Sequence, residues 1–161
     1  MSSSGSILVT GSSGFVGSAL VRSLRQASKR EVIGVDLVAS DTTTVIEDFA
    51  SPNMKKLIPE GSTIIHLGGV STDGLAREQP LLATEANISG TVRLALSGAE
   101  AGAEHFIFAS SEWVYGEHSY PKLLEEEAPL EILSLESIYA QTKLIGEALL
   151  KSIGGYRNLT I

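Results

Sequence analysis

The sequence predicts an α/β fold, a doubly wound parallel sheet with helices on both faces. Short apolar runs rich in Val and Ile alternate with segments whose apolar residues recur at helical spacing. Several of these runs are apolar at almost every position, which is typical of parallel strands covered on both faces. A length of 161 residues suits one domain with its own hydrophobic core.

The alternation sets the order of strands and helices. The expected strands are residues 6–10, 31–36, 42–49, 62–67 and 104–110, and a sixth strand is expected to begin at 158–161. The expected helices are residues 15–28, 51–58, 81–101 and 137–153. Ser51 and Ser137 are expected to cap the N-termini of two of them. Residues 116–136, with a solvated acidic run at 125–127, are expected to form an exposed loop where a substrate site would lie.

Composition and charge narrow the possible partners. The net charge of -7 argues against a nucleic-acid partner, because phosphate binding needs a basic face. The absence of Cys excludes disulfides and thiolate metal sites and fits a reducing, cytoplasmic location. No apolar run approaches the roughly 18 residues needed to cross a membrane, and the first residues lack a secretory-signal pattern. We expect residues 1–5 to form a disordered tail and 6–161 to form the domain.

Residues 9–17, VTGSSGFVG, carry glycines at intervals of three between a predicted strand and a predicted helix. Gly11 permits a tight turn, Gly14 lets the backbone approach a pyrophosphate, and Gly17 lets the helix pack closely on the sheet. The helix N-terminus supplies free N–H groups for the phosphates. The pattern predicts a Rossmann dinucleotide site, with a purely structural turn as the alternative. Ser18 follows the last glycine where a Walker loop needs Lys, and the spacing also differs from a hydrolase elbow.

The acidic residue Asp36 closes the second predicted strand, about 20 residues after the glycines. A carboxylate there would accept hydrogen bonds from both ribose hydroxyls of a dinucleotide. It would also repel a 2′-phosphate, and the next residue, Leu37, offers no Arg to bind one. The expected cofactor is therefore NAD, and the alternative is a solvent-facing Asp without a ligand.

Tyr139 and Lys143 stand four residues apart in the last predicted helix, so the phenol and the ammonium share one helix face. An ordinary Tyr pKa near 10 is too high for a base at neutral pH, but a nearby Lys and a nicotinamide cation stabilise the phenolate. Alone, this spacing is more often a surface accident. Ser110 and Ser111, however, follow the fifth strand at the same sheet edge, where a hydroxyl could contact both a substrate and the phenol.

Five motifs follow one another along the chain, namely TGSSGFVG, HLGG (66–69), NISGT (87–91), SSEWVYG (110–116) and YAQTK (139–143). With these motifs in this order, the chain resembles the extended short-chain dehydrogenase/reductase superfamily. The resemblance is to its NAD-dependent nucleotide-sugar epimerases and dehydratases, and it runs from Ile7 onward. It implies hydride transfer between a carbinol carbon of a sugar or nucleotide sugar and NAD, with a Tyr moving the hydroxyl proton.

The resemblance also implies residue roles. The catalytic residues would be Ser111, Tyr139 as general acid/base, and Lys143. The cofactor-binding residues would be Gly11, Ser13, Gly14, Phe15, Val16, Asp36, Asp48, Phe49, Leu67, Gly68, Gly69, Asn87, Ala109, Tyr139 and Lys143. Candidate substrate contacts would be Ser71, Thr72, Asp73, Ser111 and Glu112.

Several of these residues have a structural alternative. Asp48 could simply cap the following loop, and Asn87 could bridge backbone groups inside a kinked helix. His66 ends a buried strand and is more often a satisfied core histidine than a ligand. His66, His105 and His118 are scattered along the sequence, so no metal site is expected.

Two departures from the family pattern bear on the reaction. Similar 4,6-dehydratases carry Asp then Glu where this chain has Glu112 and Trp113, which argues against a full dehydratase. HLGG followed by Val-Ser resembles uronate dehydrogenases, which favours simple oxidation as an alternative to epimerisation. A non-catalytic NAD-binding module, or a truncated remnant without activity, remains a further alternative.

Family members continue past the length of this chain, so we expect the C-terminal substrate domain to be absent and the domain to be incomplete at its C-terminus. A sheet that ended there would leave an edge and apolar surface uncovered. This predicts oligomerisation, poor solubility or another chain that fills the gap, and a homo-oligomer is the form that we expect.

Overall fold

The computed structural model describes residues 5–116, 125–126 and 128–161, and its centre is a parallel sheet of five strands. The strands are β1 Ile7–Thr10, β2 Val32–Asp36, β3 Val45–Ile46, β4 Thr63–His66 and β5 His105–Phe108. The α-helices are α1 Phe15–Ala27, α2 Met54–Leu57, α3 Asp73–Glu78, α4 Pro80–Thr84, α5 Thr91–Ala101 and α6 Ile138–Arg157. A π-helical turn spans Glu85–Gly90, and 3-10 turns span Glu112–Tyr115 and Ile132–Ser134.

The strand order is β3-β2-β1-β4-β5, and each neighbouring pair is parallel. The chain therefore runs from β1 outward to β3, returns to the other side of β1, and continues to β5. Because the strands are parallel, their carboxyl ends share one edge, and the change of direction opens a crevice between β1 and β4 at that edge. The predicted doubly wound parallel sheet is confirmed.

The alternation of side chains along β1 divides the core into two layers. Leu8 belongs to the larger apolar cluster, which also contains Leu94 of α5 and Leu150 of α6. Ile7 and Val9 point the other way and belong to a cluster with Val21 of α1. Helices thus cover both faces of the sheet, as the uniformly apolar strands predicted.

The third strand is much shorter than the predicted residues 42–49. Before it, the Thr42 hydroxyl donates a 2.7 Å hydrogen bond to the Ser12 carbonyl, so this residue is bound to the turn after β1 instead of extending the strand. After it, the Asp48 carboxylate accepts the Ala50 N–H at 2.8 Å and closes a turn. Side-chain hydrogen bonds of this kind compete with strand pairing at both ends.

Two predicted helices also differ from the observed ones. The helix predicted over 51–58 begins only at Met54, because the Ser51 hydroxyl accepts the Asn53 N–H at 3.2 Å in a preceding turn. The helix predicted over 81–101 begins at Pro80 and is interrupted by the π-helical turn before α5.

The predicted cap of α6 is confirmed, since the Ser137 hydroxyl accepts the Ala140 N–H at 3.0 Å. The predicted sixth strand is represented by a single parallel bridge between His105 and Thr160. Helix α3 was not predicted, because its six residues are too few to show a helical period.

Some predictions fall on residues 1–4, 117–124 and 127, which lie outside the described residues. They include most of the predicted tail, His118 and part of the predicted loop and acidic run. The described members of that run, Glu125 and Glu126, are exposed. Within the described ranges, no helix combines the length and the apolar character that crossing a bilayer would require.

We predict that Gly17→Ala destabilises the domain by about 2 kcal/mol or more, because overpacking against rigid backbone cannot relax. A Cβ at Gly17 would lie 2.0 Å from the carbonyl oxygen of Gly11. Gly155→Ala is the matched control in α6, where a Cβ meets nothing within 4 Å and should add roughly 0.5–1 kcal/mol of helix stability. Urea unfolding of both variants tests this, and equal stabilities would contradict it.

Candidate functional site

A cavity of about 420 Å³ lies at the carboxyl ends of β1, β2 and β4, where the strand order reverses. Its lining includes ten of the predicted cofactor residues, which are Gly11, Ser13, Gly14, Phe15, Val16, Asp36, Phe49, Leu67, Gly68 and Gly69. Ser71, a predicted substrate contact, and Glu47, which the sequence did not single out, also line it. Residues from four separate segments therefore converge where an open α/β sheet binds its ligands.

The glycine turn lets three backbone segments meet at this cavity. Gly11 has a positive φ of 69°, and a Cβ there would lie 2.8 Å from the Gly68 nitrogen in the loop after β4. Gly17 brings α1 against the same turn, as described above. No side chain of the described part of the chain caps α1, whose N-cap is Gly14. The first-turn N–H groups are therefore left for an anionic ligand.

Asp36 is held in place by backbone donors at the mouth of the cavity. One carboxylate oxygen accepts the Ser13 N–H at 3.0 Å, and the other accepts the Val38 N–H at 3.1 Å. Burial acts to raise the pKa of Asp36, but the hydrogen bonds from Ser13, Val38 and Leu37 outweigh it and hold the pKa below its usual value. The cavity thus carries a fixed negative charge beside the glycine turn.

Phe49 forms a wall of the cavity beneath the loop after β4. A Cβ at Gly68 would lie 2.9 Å from the Phe49 ring, so the glycine is required by this contact. Asp48, in contrast, is not among the lining residues, and its carboxylate caps the turn at Ala50. The structure favours the capping role that the sequence left open for Asp48, with Glu47 facing the cavity in its stead.

The pair on α6 is close together, as the spacing predicted. The Lys143 side chain is buried, and its Nζ donates a 3.0 Å hydrogen bond to the Ala109 carbonyl after β5. The same nitrogen lies 4.8 Å from the ring centroid of Phe108 and 5.9 Å from that of Tyr139. Burial lowers the pKa of Lys143 to about 8. Ala109, a predicted cofactor residue, contacts Lys143 through this carbonyl.

Ser111 caps the 3-10 turn that follows β5. Its hydroxyl accepts the Trp113 N–H at 3.3 Å and donates to the Glu112 carboxylate at 3.3 Å. The Trp113 ring packs edge-on against Tyr139, with 6.3 Å between centroids. Ser110 behaves differently, because its buried hydroxyl has no hydrogen-bond partner among the described residues. The turn therefore brings Ser111, Glu112 and Trp113 to the side of α6 that carries Tyr139.

Asn87 lies at the centre of the π-helical turn and joins the loop after β4 to α6. Its side chain accepts the Val70 N–H at 2.8 Å and donates to the Val70 carbonyl at 2.9 Å. The same amide donates to the Thr142 hydroxyl at 3.0 Å. This matches the structural alternative, a bridge between backbone groups in an irregular helix. A Cβ at Gly69 would lie 2.5 Å from the Asn87 side-chain oxygen, which explains that glycine.

His66 is a satisfied core histidine. Its Nδ1 lies 2.6 Å from the Thr10 hydroxyl and its Nε2 lies 3.0 Å from the Thr91 hydroxyl. Burial, with a smaller contribution from the Lys143 charge, lowers the pKa of His66 to about 3, so the ring is neutral at physiological pH. Among the residues that the structure places, no three His, Cys, Asp or Glu side chains come together as a metal site.

Asp73 anchors the beginning of α6, a role that the sequence did not predict. Its Oδ1 accepts the Ser137 hydroxyl at 2.7 Å and the Tyr139 N–H at 3.4 Å. Arg77 donates to the other carboxylate oxygen and to the Glu136 carbonyl, the latter at 3.1 Å. Hydrogen bonds from Arg77 and then Ser137 hold the pKa of Asp73 below its usual value. The contacts of Asp73 with Ser137 and Tyr139 span 64 and 66 residues of sequence, so no local pattern signals them.

The segment before Asp73 serves both the cavity and α3. Ser71 lines the cavity, whereas the Thr72 hydroxyl accepts the Leu75 N–H at 3.4 Å as the N-cap of α3. A separate cavity of about 460 Å³ lies between α3, the 3-10 turn and the start of α6, and Asp73, Glu112 and Trp113 line it. Of the candidate substrate residues, Ser71 therefore lines the first cavity and Asp73 and Glu112 line the second, whereas Thr72 and Ser111 line neither.

The crevice at the strand reversal contains the glycine turn and the carboxylate at the end of β2. These features define a dinucleotide-binding Rossmann domain, and the Tyr–Lys pair lies on its last helix, α6. The chain belongs to the NAD dependent epimerase/dehydratase family, whose model matches residues 7–160. The recognised superfamily is therefore confirmed, and NAD is the cofactor of the family.

Sequence relatives include epimerases of nucleotide sugars. The chain is 31% identical to a UDP-glucose 4-epimerase from Erwinia amylovora over 163 residues, which are 91% of this chain and 48% of the relative. It is 29% identical to UDP-glucose 4-epimerase 2 from Arabidopsis thaliana, over 92% of this chain and 47% of the relative. The chain thus spans about half the length of these curated relatives.

Solved structures show the same fold. MoeE5 in complex with UDP-glucuronic acid and NAD is 31% identical, with a TM-score of 0.85 over 96% of this chain and 52% of that one. A short-chain dehydrogenase/reductase superfamily protein from Agrobacterium tumefaciens with bound NAD is 33% identical, with a TM-score of 0.79 over 95% of this chain and 46% of that one.

We predict that the Lys143 amine titrates near pH 8, whereas its ordinary pKa is 10.5. Burial disfavours the ammonium, so folding favours the neutral amine. The contribution of this group to folding stability should therefore rise between pH 8 and pH 10.5 as the unfolded chain loses its more tightly held proton. NMR titration of the Lys side chains measures the midpoint directly, with exposed Lys55 as the internal control. A Lys143 midpoint equal to that of Lys55 would contradict the prediction.

Proposed function

We propose that this chain forms the NAD-binding and catalytic portion of an epimerase that acts on a sugar or nucleotide sugar by hydride transfer to and from NAD. The observation that carries the proposal is the buried Lys143 ammonium beside the Tyr139 ring, at the same sheet edge as the glycine-lined cavity. The UDP-glucose 4-epimerase relatives favour epimerisation. The proposed substrate is a small molecule. The proposal also includes assembly of the chain as a homo-oligomer.

The residues around the cavity fit a dinucleotide. The uncapped N-terminus of α1 and the backbone of Gly14 would receive the pyrophosphate, because neither presents a side chain that blocks it. Asp36 would accept the hydroxyls of the adenine ribose, with Phe49 beside the adenine. Lys143 would donate to the nicotinamide ribose. When bound, NAD accepts and returns a hydride, which is the redox chemistry that the side chains alone do not supply.

The proposed acid/base chemistry is centred on the Tyr139 phenol. A phenolate at Tyr139 would accept the proton of the substrate hydroxyl as its carbon is oxidised, and would return that proton when the carbon is reduced. The Lys143 ammonium, close to the ring, would stabilise the phenolate. Ser111 would hydrogen-bond the substrate oxygen from the 3-10 turn. Its present partner, the Glu112 carboxylate, would then accept from another donor or from solvent.

A second candidate is an NAD-dependent oxidation of a sugar or uronate without return of the hydride. One observation of the sequence favours it. Val70-Ser71 follows HLGG, as in the uronate dehydrogenases that the sequence resembles, and Ser71 lines the cavity. A structural relative also binds UDP-glucuronic acid. The products separate the candidates, since oxidation accumulates NADH and epimerisation yields the inverted sugar without net NADH.

We predict that the chain binds NADH more tightly than NADPH by about 10- to 100-fold, because the Asp36 carboxylate repels the 2′-phosphate and leaves it unpaired. Asp36→Ser should remove most of this preference. Asp41→Ser is the matched control, since Asp41 lies on the surface in an ion pair with Arg22. Fluorescence titration with both nucleotides measures the ratio. A preference for NADPH, or one that survives Asp36→Ser, would show that Asp36 does not select the cofactor.

We predict that Tyr139→Phe lowers turnover of an accepted substrate by about 10²- to 10⁴-fold, because the phenol proton is lost from the reaction. NADH affinity should remain within about 2-fold, since Phe keeps the packing of the ring. Tyr156→Phe is the matched control on the same helix, where the side chain is 64% exposed.

The assay supplies NAD with a panel of UDP-sugars, dTDP-sugars and uronates, and follows both NADH and the sugar products. Turnover that survives Tyr139→Phe would refute the role of the phenol. If the chain binds NADH but turns over none of the panel, the non-catalytic binding module is the better description.

A further inference from the structure

A chain of buried polar groups runs beneath the cavity. Thr10 ends β1, His66 ends β4 and Thr91 begins α5, and all three side chains are almost completely buried. The Gly68 N–H donates to the Thr10 hydroxyl at 3.2 Å, the Thr10 hydroxyl lies 2.6 Å from His66 Nδ1, and His66 Nε2 lies 3.0 Å from the Thr91 hydroxyl. We call these contacts the Thr10–His66 relay.

The relay accommodates a neutral imidazole in either tautomer. A hydroxyl donates one proton and has two acceptor lone pairs, so the Thr10 hydroxyl can accept the Gly68 N–H and either donate to His66 Nδ1 or accept from it. His66 Nε2 correspondingly donates to the Thr91 hydroxyl or accepts from it. Both ring nitrogens are thus satisfied by a neutral imidazole, as burial requires.

The relay acts where the backbone ladder between β1 and β4 weakens. The Leu67 N–H still donates to the Thr10 carbonyl, but at 3.3 Å, the long end of the usual range. One residue further on, the Thr10 side chain replaces the main chain as the acceptor for Gly68. Gly68 is also confined by the turn at Gly11 and by the ring of Phe49. Its backbone therefore has a hydrogen-bond anchor on one side and steric walls on the others.

Packing alone does not explain a histidine at this position. The His66 ring lies among Phe49, Phe106 and Phe108, with centroids 4.8, 5.9 and 5.9 Å away. A phenyl ring fills such an aromatic site without the desolvation of two nitrogens. The imidazole differs from a phenyl ring by its two hydrogen bonds. One of these bonds is to Thr10, whose hydroxyl accepts the Gly68 N–H in the loop that lines the cavity.

We propose that His66 is a positioning residue for the cofactor, which acts through the Thr10 hydroxyl to fix the Leu67–Gly68 backbone at the floor of the dinucleotide crevice. The inference rests on the proposed function in that this crevice receives NAD. His66 itself is not among the residues that line the cavity, so its effect is indirect.

Three variants test the relay, and NADH titration measures the affinity of each for the cofactor. Thr10→Val removes the hydroxyl with little change of shape and should weaken NADH binding by about 3- to 10-fold, the worth of one hydrogen bond. Thr10→Ser keeps the hydroxyl and should bind within about 2-fold of the unaltered chain. Thr63→Val is the matched control, a buried Thr at the opposite end of β4 whose hydroxyl accepts from Arg30. It should leave NADH affinity unchanged.

His66→Phe tests the ring directly, because it keeps the aromatic packing and removes both hydrogen bonds. It should weaken NADH binding measurably but by no more than Thr10→Val, because the hydrogen bond from Gly68 to Thr10 remains. A folded His66→Phe that binds NADH as well as the unaltered chain would overturn the positioning role of His66. Nitrogen NMR of the unaltered chain supplies an independent readout. His66 should show one protonated and one unprotonated ring nitrogen across neutral pH, and Thr10→Val should shift the Nδ1 resonance. If His66→Phe does not fold, Thr10→Val and the NMR signature still decide the question.

The outcomes separate this inference from the proposed function. If the unaltered chain binds NADH and Thr10→Val binds it equally well, the relay has no positioning role and the inference fails alone. The inference also fails if Thr63→Val weakens binding as much as Thr10→Val, since the effect is then general destabilisation. If the unaltered chain binds no NADH, the proposed function fails and the inference with it.

Discussion

Direct backbone contact between the turn after β1 and the loop after β4 is the constraint on which the site depends. A Cβ at Gly11 would lie 2.8 Å from the Gly68 nitrogen, a Cβ at Gly17 would meet the Gly11 carbonyl oxygen, and a Cβ at Gly68 would lie 2.9 Å from the Phe49 ring. Contact this close brings the N-terminus of α1 to the point where β1 and β4 diverge. The crevice exists because these segments touch through glycine, and the exposed first turn of α1 faces a space that side chains would otherwise fill.

Opposite charges are held at two sides of this arrangement by different physical means. Asp36 keeps its charge because backbone N–H groups solvate it, which lowers its pKa despite burial. Lys143 has one carbonyl acceptor and aromatic neighbours, and burial brings its pKa to about 8. Burial has removed most of the water that would stabilise this ammonium. A nearby phenolate or ribose would replace that water and stabilise the charged form. Perturbed pKa values of this kind cluster at functional sites.

Helix α6 is fixed by contacts from segments that are distant in sequence. Asp73 of α3 accepts from the first turn of α6, and Asn87 of the π-helical turn donates to Thr142 one turn further on. Both also belong to the chain that leaves β4, which lines the cavity. The loop after β4 and the face of α6 that carries Tyr139 are therefore coupled mechanically. Under the proposed function, hydride and proton transfer would need both parts in register.

The sequence by itself determined the sheet, the glycine turn, the carboxylate at Asp36 and the Tyr139–Lys143 pair, because each depends on local period or spacing. Only the tertiary structure decided that Asp48 caps a turn, that Ser51 does not begin a helix and that β3 has two residues. It also decided the roles of Asp73, Trp113 and the Thr10–His66 relay. These depend on hydrogen bonds and ring contacts between residues that lie far apart in sequence, and such contacts leave no periodic trace in the chain.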